Sequence, residues 1–192
     1  MFANAPDMRF DGKNEVKHDF EVMCNDGRLL SILQYRSQTM GRDGVRYTLE
    51  PLTFDVSGIY AGETLTLRGV ILVQAGVDPE KLDSVTAEDY PALAGIIDSS
   101  SSLISEVMQE ALYGWFKQLQ QEGLMDAQWT REDYEAEFIP SRDFYATDQG
   151  GITFFLPPSL LATPSPYVPS VSYFPDSLNA LMLKMAGENS FE

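Results

Sequence analysis

The chain has 192 residues, of which 44% are hydrophobic, 22% charged and 11% aromatic, the make-up of one folded domain and not of a disordered segment. Its 29 acids against 13 lysines and arginines leave a net charge of −16, which repels nucleic-acid phosphates and anionic lipid and steers cationic partners inward. Cys24 is the sole cysteine and His18 the sole histidine, so an intramolecular disulfide is excluded and a Cys/His metal cluster or His-based triad lacks members.

Residues 1–18 are polar and mixed, without periodicity, and predict a flexible arm; residues 19–187 predict one domain. Asp19–Asn25 alternates, with Phe20, Val22 and Cys24 on one side. Arg28–Tyr35 alternates Leu29, Ser31 and Leu33 against Leu30, Ile32 and Gln34, and Asn25-Asp26-Gly27 between the two runs is hairpin-turn chemistry. Gly41-Arg42-Asp43-Gly44 is the next turn. Val45–Val56 is strand-like, but Pro51 interrupts it and predicts an edge position, a bulge or a break. After the turn at residues 57–62, Thr64–Leu67 reads as a short strand or as the lead into a buried apolar run, Val70–Val73. The N-terminal third is therefore an antiparallel meander.

Character changes after Gly76. Asp78-Pro79 is an N-cap with proline at the first helical position, and Thr86 with Asp89 resembles a capping box, so short helical turns run to about Ile97. Ser99–Ser102 caps the one long helix, about Ser102–Glu122, with an apolar stripe of Leu103, Ile104, Val107, Met108, Ala111, Leu112, Trp115, Phe116 and Leu119. Gly123 is placed to end it. Gly114 inside it costs about 1 kcal/mol relative to alanine, and close packing against the sheet is a reason for it. Thr130 caps a short acidic helix to Glu137. Asp143–Leu156 is strand, turn and strand, and Pro157–Pro169 is a proline-rich extended loop. Val171–Phe174 is a last strand, and Asp176 or Ser177 caps a final helix. The order implies an α+β fold: an antiparallel β-sheet with one long helix packed across a face, in two layers.

No set of residues is assigned to catalysis, a cofactor or a metal. Glu132, Asp133, Glu135 and Glu137 could supply the carboxylate pair of a glycan hydrolase, but among 29 acids close pairs arise by chance and a solvated acidic helix face is the simpler explanation. The turns at Asp43, Asp55 and Asp148 are rich in oxygen, as calcium prefers, without EF-hand spacing. Exposed charged and tyrosyl groups in turns and in the proline-rich segment suit recognition, which makes Arg42, Asp43, Tyr60, Tyr145, Tyr167 and Tyr173 the candidate partner contacts. No run of about 18 apolar residues offers a membrane span. Ala3-Asn4-Ala5 is an A-x-A pattern of the kind signal peptidase leaves, which reads as a start just beyond a removed signal or anchor.

Asp143–Phe155, DFYATDQGGITFF, resembles the "nFyltddGlvfyf" stretch of a family of bacterial extracytoplasmic domains. It is the family of the outer domain of the RsiV anti-sigma factor, found also as an accessory region beside PdaC-type peptidoglycan deacetylases. Tyr47-Thr48-Leu49 through Phe54-Asp55, then Ser57-Gly58 and Glu63–Leu67, is similar to that family's "yn.D..tGk.ltL.dlf". The order of long helix, hairpin, proline-containing segment and an ending at Ser172–Leu181 agrees, over about residues 28–183. Two stretches depart from the pattern: Gly41–Gly44, where the family often has a Gly-Ala-His-type turn, and Pro157–Val168, where it has "pYeiaPYaaG". The resemblance implies a non-catalytic α+β domain outside the cytoplasm. One member type binds lysozyme, a basic enzyme, as a sensor. In the deacetylase members the chemistry sits in a separate metal-dependent domain, whose His and Asp ligands have no counterpart here. The expected role is a binding or sensor domain of the cell envelope, with a cationic protein such as lysozyme, or cell-wall glycan, as partner.

Overall fold

The turn at Asn25-Asp26-Gly27 organises the first half of the chain. Gly27 takes φ 85°, open to glycine without strain, and Asp26 Oδ1 accepts the N–H groups of Arg28 and Leu29, both at 2.9 Å. The computed structural model describes residues 8–10, 14–39, 44–57 and 61–188. Strands β1 (Met8–Phe10), β2 (Asn14–Asn25), β3 (Leu29–Thr39) and β4 (Val45–Asp55) form an antiparallel sheet in that order. Strand β2 starts inside the stretch read as an arm, because β3 is long enough to pair with it as far as Val16.

One register shift changes the faces of this sheet. Between Val22 and Cys24 the pairing slips, leaving Met23 as an extra residue. Phe20 and Val22 therefore point to the outer face, 36% and 50% exposed, whereas Cys24 points inward and is fully buried. Alternation alone puts all three on one side. It cannot register a bulge, since an inserted residue inverts every later side chain.

Pro51 lies on the edge strand, one of the three positions its ring allowed. Leu65 N–H donates to Thr53 O at 2.9 Å and Asp55 N–H to Glu63 O at 3.0 Å, so the odd-numbered residues of β4 turn their main chain outward. Pro51 belongs to that set, and its missing N–H deprives the sheet of nothing.

The apolar run after Thr64 is helix α1 (Leu67–Gln74), whose N-cap Thr66 accepts Gly69 N–H at 3.2 Å. Leu67 and Gly69–Val73 are all buried, and a helix apolar all round shows no period to read. Helix α2 (Ala94–Ile97) leads into the long helix α3 (Ser101–Gln121), where Ser100 Oγ accepts Leu103 N–H at 3.1 Å. Helix α3 buries Ile104, Val107, Met108, Leu112, Phe116 and Leu119 of the expected stripe, but Leu103 at its first turn is 44% exposed, Ala111 is exposed and Trp115 is only half-buried. Its neighbours are α1, α4 (Arg131–Glu137) and α5 (Pro175–Glu188). Gln120, placed off the apolar face by its polarity, is buried with its amide donating to Asp126 O and Trp129 O at 2.9 and 3.0 Å. Thr130 and Asp133 form the capping box of α4.

Strands β5 (Phe144–Ala146), β6 (Ile152–Phe155) and β7 (Ser170–Tyr173) make a second antiparallel sheet. All four residues of β6 are buried. Ile152 and Phe154 pack into the core shared with the helices, whereas Phe155 packs on Leu33 and Leu49 of the first sheet. The fold is α+β, and its strands are divided between two sheets that meet at the middle of β3 and β4. Among the described residues no helix is long and apolar enough to cross a membrane.

Candidate binding surface

The inner face of the first sheet is covered at one end and open at the other. Alternation along β3 carries Leu29, Ser31 and Leu33 under the second sheet and delivers Tyr35 beyond it. Asp19 and Leu49 are the cross-strand partners of Tyr35, and Glu21 that of Leu33, so two carboxylates flank the tyrosine on its own face. Tyr35 Oη donates to Glu21 Oε2 at 3.3 Å. Burial, then the charge of Glu21 and its hydrogen bond, push the Tyr35 phenol up to about 12, with Tyr145 and Tyr167 close enough to add to the effect. Tyr145 stacks on Phe155, ring centroids 6.2 Å apart, and burial raises its pKa too. Tyr167, on the proline-rich segment, is 87% exposed, and its neighbour Pro166 closes a 180 Å³ recess against Tyr35 and Tyr47. This end of the molecule thus presents several tyrosines among Asp19 and Glu21. Such a surface offers large, rigid contacts and a place for a cation.

A 440 Å³ groove continues from that recess along the edge of β4, sharing Tyr47, Thr48 and Leu49 with it. Its far wall is Pro157, Pro158 and Ser159, and its end carries Glu137, Arg142 and Asp143. Burial pushes the Asp143 carboxyl above its usual range, while Arg142 and the Ile139 main chain oppose the shift. Both Asp143 oxygens are engaged: Oδ1 takes Arg142 Nε at 2.7 Å, and Oδ2 takes Arg142 Nη2 and Ile139 N–H, each at 2.8 Å. Asp143 is a latch for the turn between α4 and β5. Glu137 accepts the Ser159 hydroxyl at 2.6 Å.

Of the expected contacts, Tyr145 and Tyr167 come together at the tyrosine surface. Tyr173 does not join them. It pairs with Ile152, on the face of the second sheet opposite Tyr145, and packs edge-on against Phe154 at 6.1 Å. Strand alternation separates it from Tyr145 although both are tyrosines of one small sheet. Arg42, Asp43 and Tyr60 lie outside the described residues. Tyr35, Asp19 and Glu21 were missed, although Tyr35 continues the Leu29–Ser31–Leu33 alternation and so shares its face.

Several other acids are occupied locally. Asp133 caps α4, Arg131 pairs with both Glu135 and Glu110, and Asp148 Oδ1 accepts Asn25 N–H at 2.8 Å, tying the β5–β6 turn to the β2–β3 turn. Asp55 Oδ1 accepts the N–H and hydroxyl of Ser57 at 2.7 and 2.9 Å. Among the described residues no three His, Cys, Asp or Glu side chains are grouped as metal ligands. His18 and Cys24 lie on opposite faces of the first sheet, paired with Arg36 and Ser31. Burial, with Asp26 and Asp148 nearby, raises the Cys24 thiol to about 11. No protein-family model matches the chain, and no curated protein is similar to it.

Proposed function

We propose that this chain is a non-catalytic, extracytoplasmic binding or sensor domain of the bacterial cell envelope, of the RsiV-like type, whose partner is a cationic protein. The observation that carries the reading is the tyrosine surface: Tyr167 is 87% exposed beside Tyr35 and Tyr145, with Asp19 and Glu21 on the same sheet face, in a chain of net charge −16. A lysine or arginine brought there meets both carboxylate and aromatic ring, and the field of the whole surface speeds its arrival.

Lysozyme, a basic cell-wall hydrolase, is the probe. Calorimetric titration is expected to show binding at low salt that weakens steeply as salt screens the charges. Tyr167→Ala should weaken it about ten-fold or more, as removal of an exposed aromatic anchor does. Absence of binding at low salt removes lysozyme as the partner, and binding indifferent to salt removes the electrostatic reading.

A second reading, hydrolysis of cell-wall glycan by a carboxylate pair, draws on Glu137 and Asp143 lining one groove. A general acid needs an oxygen turned toward the substrate. Asp143 has both of its oxygens held by Arg142 and Ile139, so the binding reading is preferred.

A further inference from the structure

The outward edge of β4 is closed along one half and open along the other. At the closed half the chain adds its own strand: Leu65 N–H donates to Thr53 O, Asp55 N–H to Glu63 O, and Phe54 bridges Thr64. The β3–β4 register runs without a bulge from Leu29–Asp55 to Thr39–Val45, so the same alternation continues down the strand. The N–H and C=O groups of Tyr47 and Leu49, and the C=O of Pro51, therefore face the same way as those of Thr53 and Asp55. Among the described residues none of these groups finds a hydrogen-bond partner. They belong to the strand that lines the 440 Å³ groove.

Donors and acceptors repeating every second residue, about 6.8 Å apart, match another extended chain. We propose that the open Val45–Pro51 edge binds an extended peptide segment of the partner by strand addition. The proposal names the binding mode of the partner inferred above and rests on that reading. Pro157, Pro158 and Ser159 face the strand from the far side of the groove. Pro51, lacking its N–H, ends the ladder, so the paired segment is about four or five residues long. With Arg142 held by Asp143, Glu50 and Glu137 stand against Arg46 along the groove and favour basic side chains on the peptide.

A short alternating valine–lysine peptide tests this, beside counterparts methylated on alternate main-chain nitrogens in either register. Methylation keeps the side chains and charge but removes the ladder. Binding of the parent peptide to the full chain should slow hydrogen exchange at the Tyr47 and Leu49 amides about ten-fold or more and leave Thr48, already bonded to β3, unchanged. The counterpart that blocks the ladder should bind about ten-fold more weakly, the loss expected for one or two main-chain bonds. Tyr47→Pro should weaken the parent peptide similarly, and the methylated peptides give the answer should Tyr47→Pro fail to fold. Equal affinity for parent and methylated peptides, with Tyr47 and Leu49 exchange unchanged, overturns strand addition and leaves charge-driven binding standing. No binding by any peptide also overturns it, because main-chain pairing tolerates most sequences; the lysozyme titration then judges the wider reading separately. Concentration-dependent protection of both amides without peptide would give the edge to a second copy and overturn the peptide.

Discussion

Ser31 joins the two sheets through a hydroxyl. It is fully buried, its Oγ lies 2.8 Å from Thr53 Oγ1, and it accepts Ala146 N–H at 3.2 Å from the other sheet. Ser31→Ala would leave a buried amide and a buried hydroxyl without their partner. A stranded polar group costs about 1–3 kcal/mol, more than the modest net gain of the bond itself. The midpoint of urea unfolding should fall accordingly with its slope unchanged, and a variant as stable as the parent would show that water replaces the hydroxyl. In sequence, Ser31 is legible as sharing a face with Leu29 and Leu33, but nothing there marks that face as the inner one or Ser31 as a junction. The partner amide, Ala146, lies 115 residues away, and a strand alternation names a face without naming what covers it. For the same reason Tyr145 and Tyr173 looked equivalent, and the register of β5–β6–β7 was needed to part them.

At the scale of elements, local chemistry was read well and buried elements poorly. The caps at Asp78, Ser100 and Thr130, the turn at Gly27 and the end of α3 at Gly123, φ 76°, follow from side chains satisfying their own backbone. Helix α1 and the Met23 bulge escaped, one because it is apolar on every side and the other because an insertion has no composition. Two glycines show how far the reading of a helix can go astray. Close packing against the sheet predicts a crowded Gly114, yet a Cβ there would meet nothing within 4 Å. Gly114→Ala should therefore stabilise the protein by about 0.5–1 kcal/mol, the helix-propensity difference alone. Gly95, at the start of α2, is the tight one: a Cβ would come within 3.0 Å of Asn179 Oδ1 and 3.2 Å of Asn179 O on α5. That Oδ1 accepts Ile96 N–H at 3.3 Å, so Gly95→Ala forces apart the helices that the bond holds. It should destabilise while Gly114→Ala stabilises. Thermal unfolding of the pair gives both signs, and equal shifts would contradict the assignment.

Over the whole molecule, net charge is the property that composition conveys best and packing least alters. Five ion pairs are formed among the described residues, two of them by Arg131 alone. They bring together mostly exposed groups, and such pairs contribute little. With 29 acids and 13 basic residues, most carboxylates face solvent and one another without a cation, so the folded state carries net self-repulsion that the expanded chain relieves. Added salt screens that repulsion over a Debye length of about 10 Å at 0.1 M. The melting temperature at neutral pH should therefore rise by a few degrees between about 10 mM and about 150 mM salt, since about 1 kcal/mol moves a domain of this size by 2–4 °C. Were attraction between paired charges to outweigh the repulsion, it would fall instead. The same change of salt should loosen a cationic partner, so stability and affinity are expected to move in opposite directions. A preferentially bound stabilising ion would raise the melting temperature at fixed ionic strength, whereas screening would not distinguish sodium from potassium chloride. A rise common to both salts, with weaker lysozyme binding over the same range, would trace both effects to one field: that of an acidic surface held together against its own repulsion by the core beneath β6 and α3.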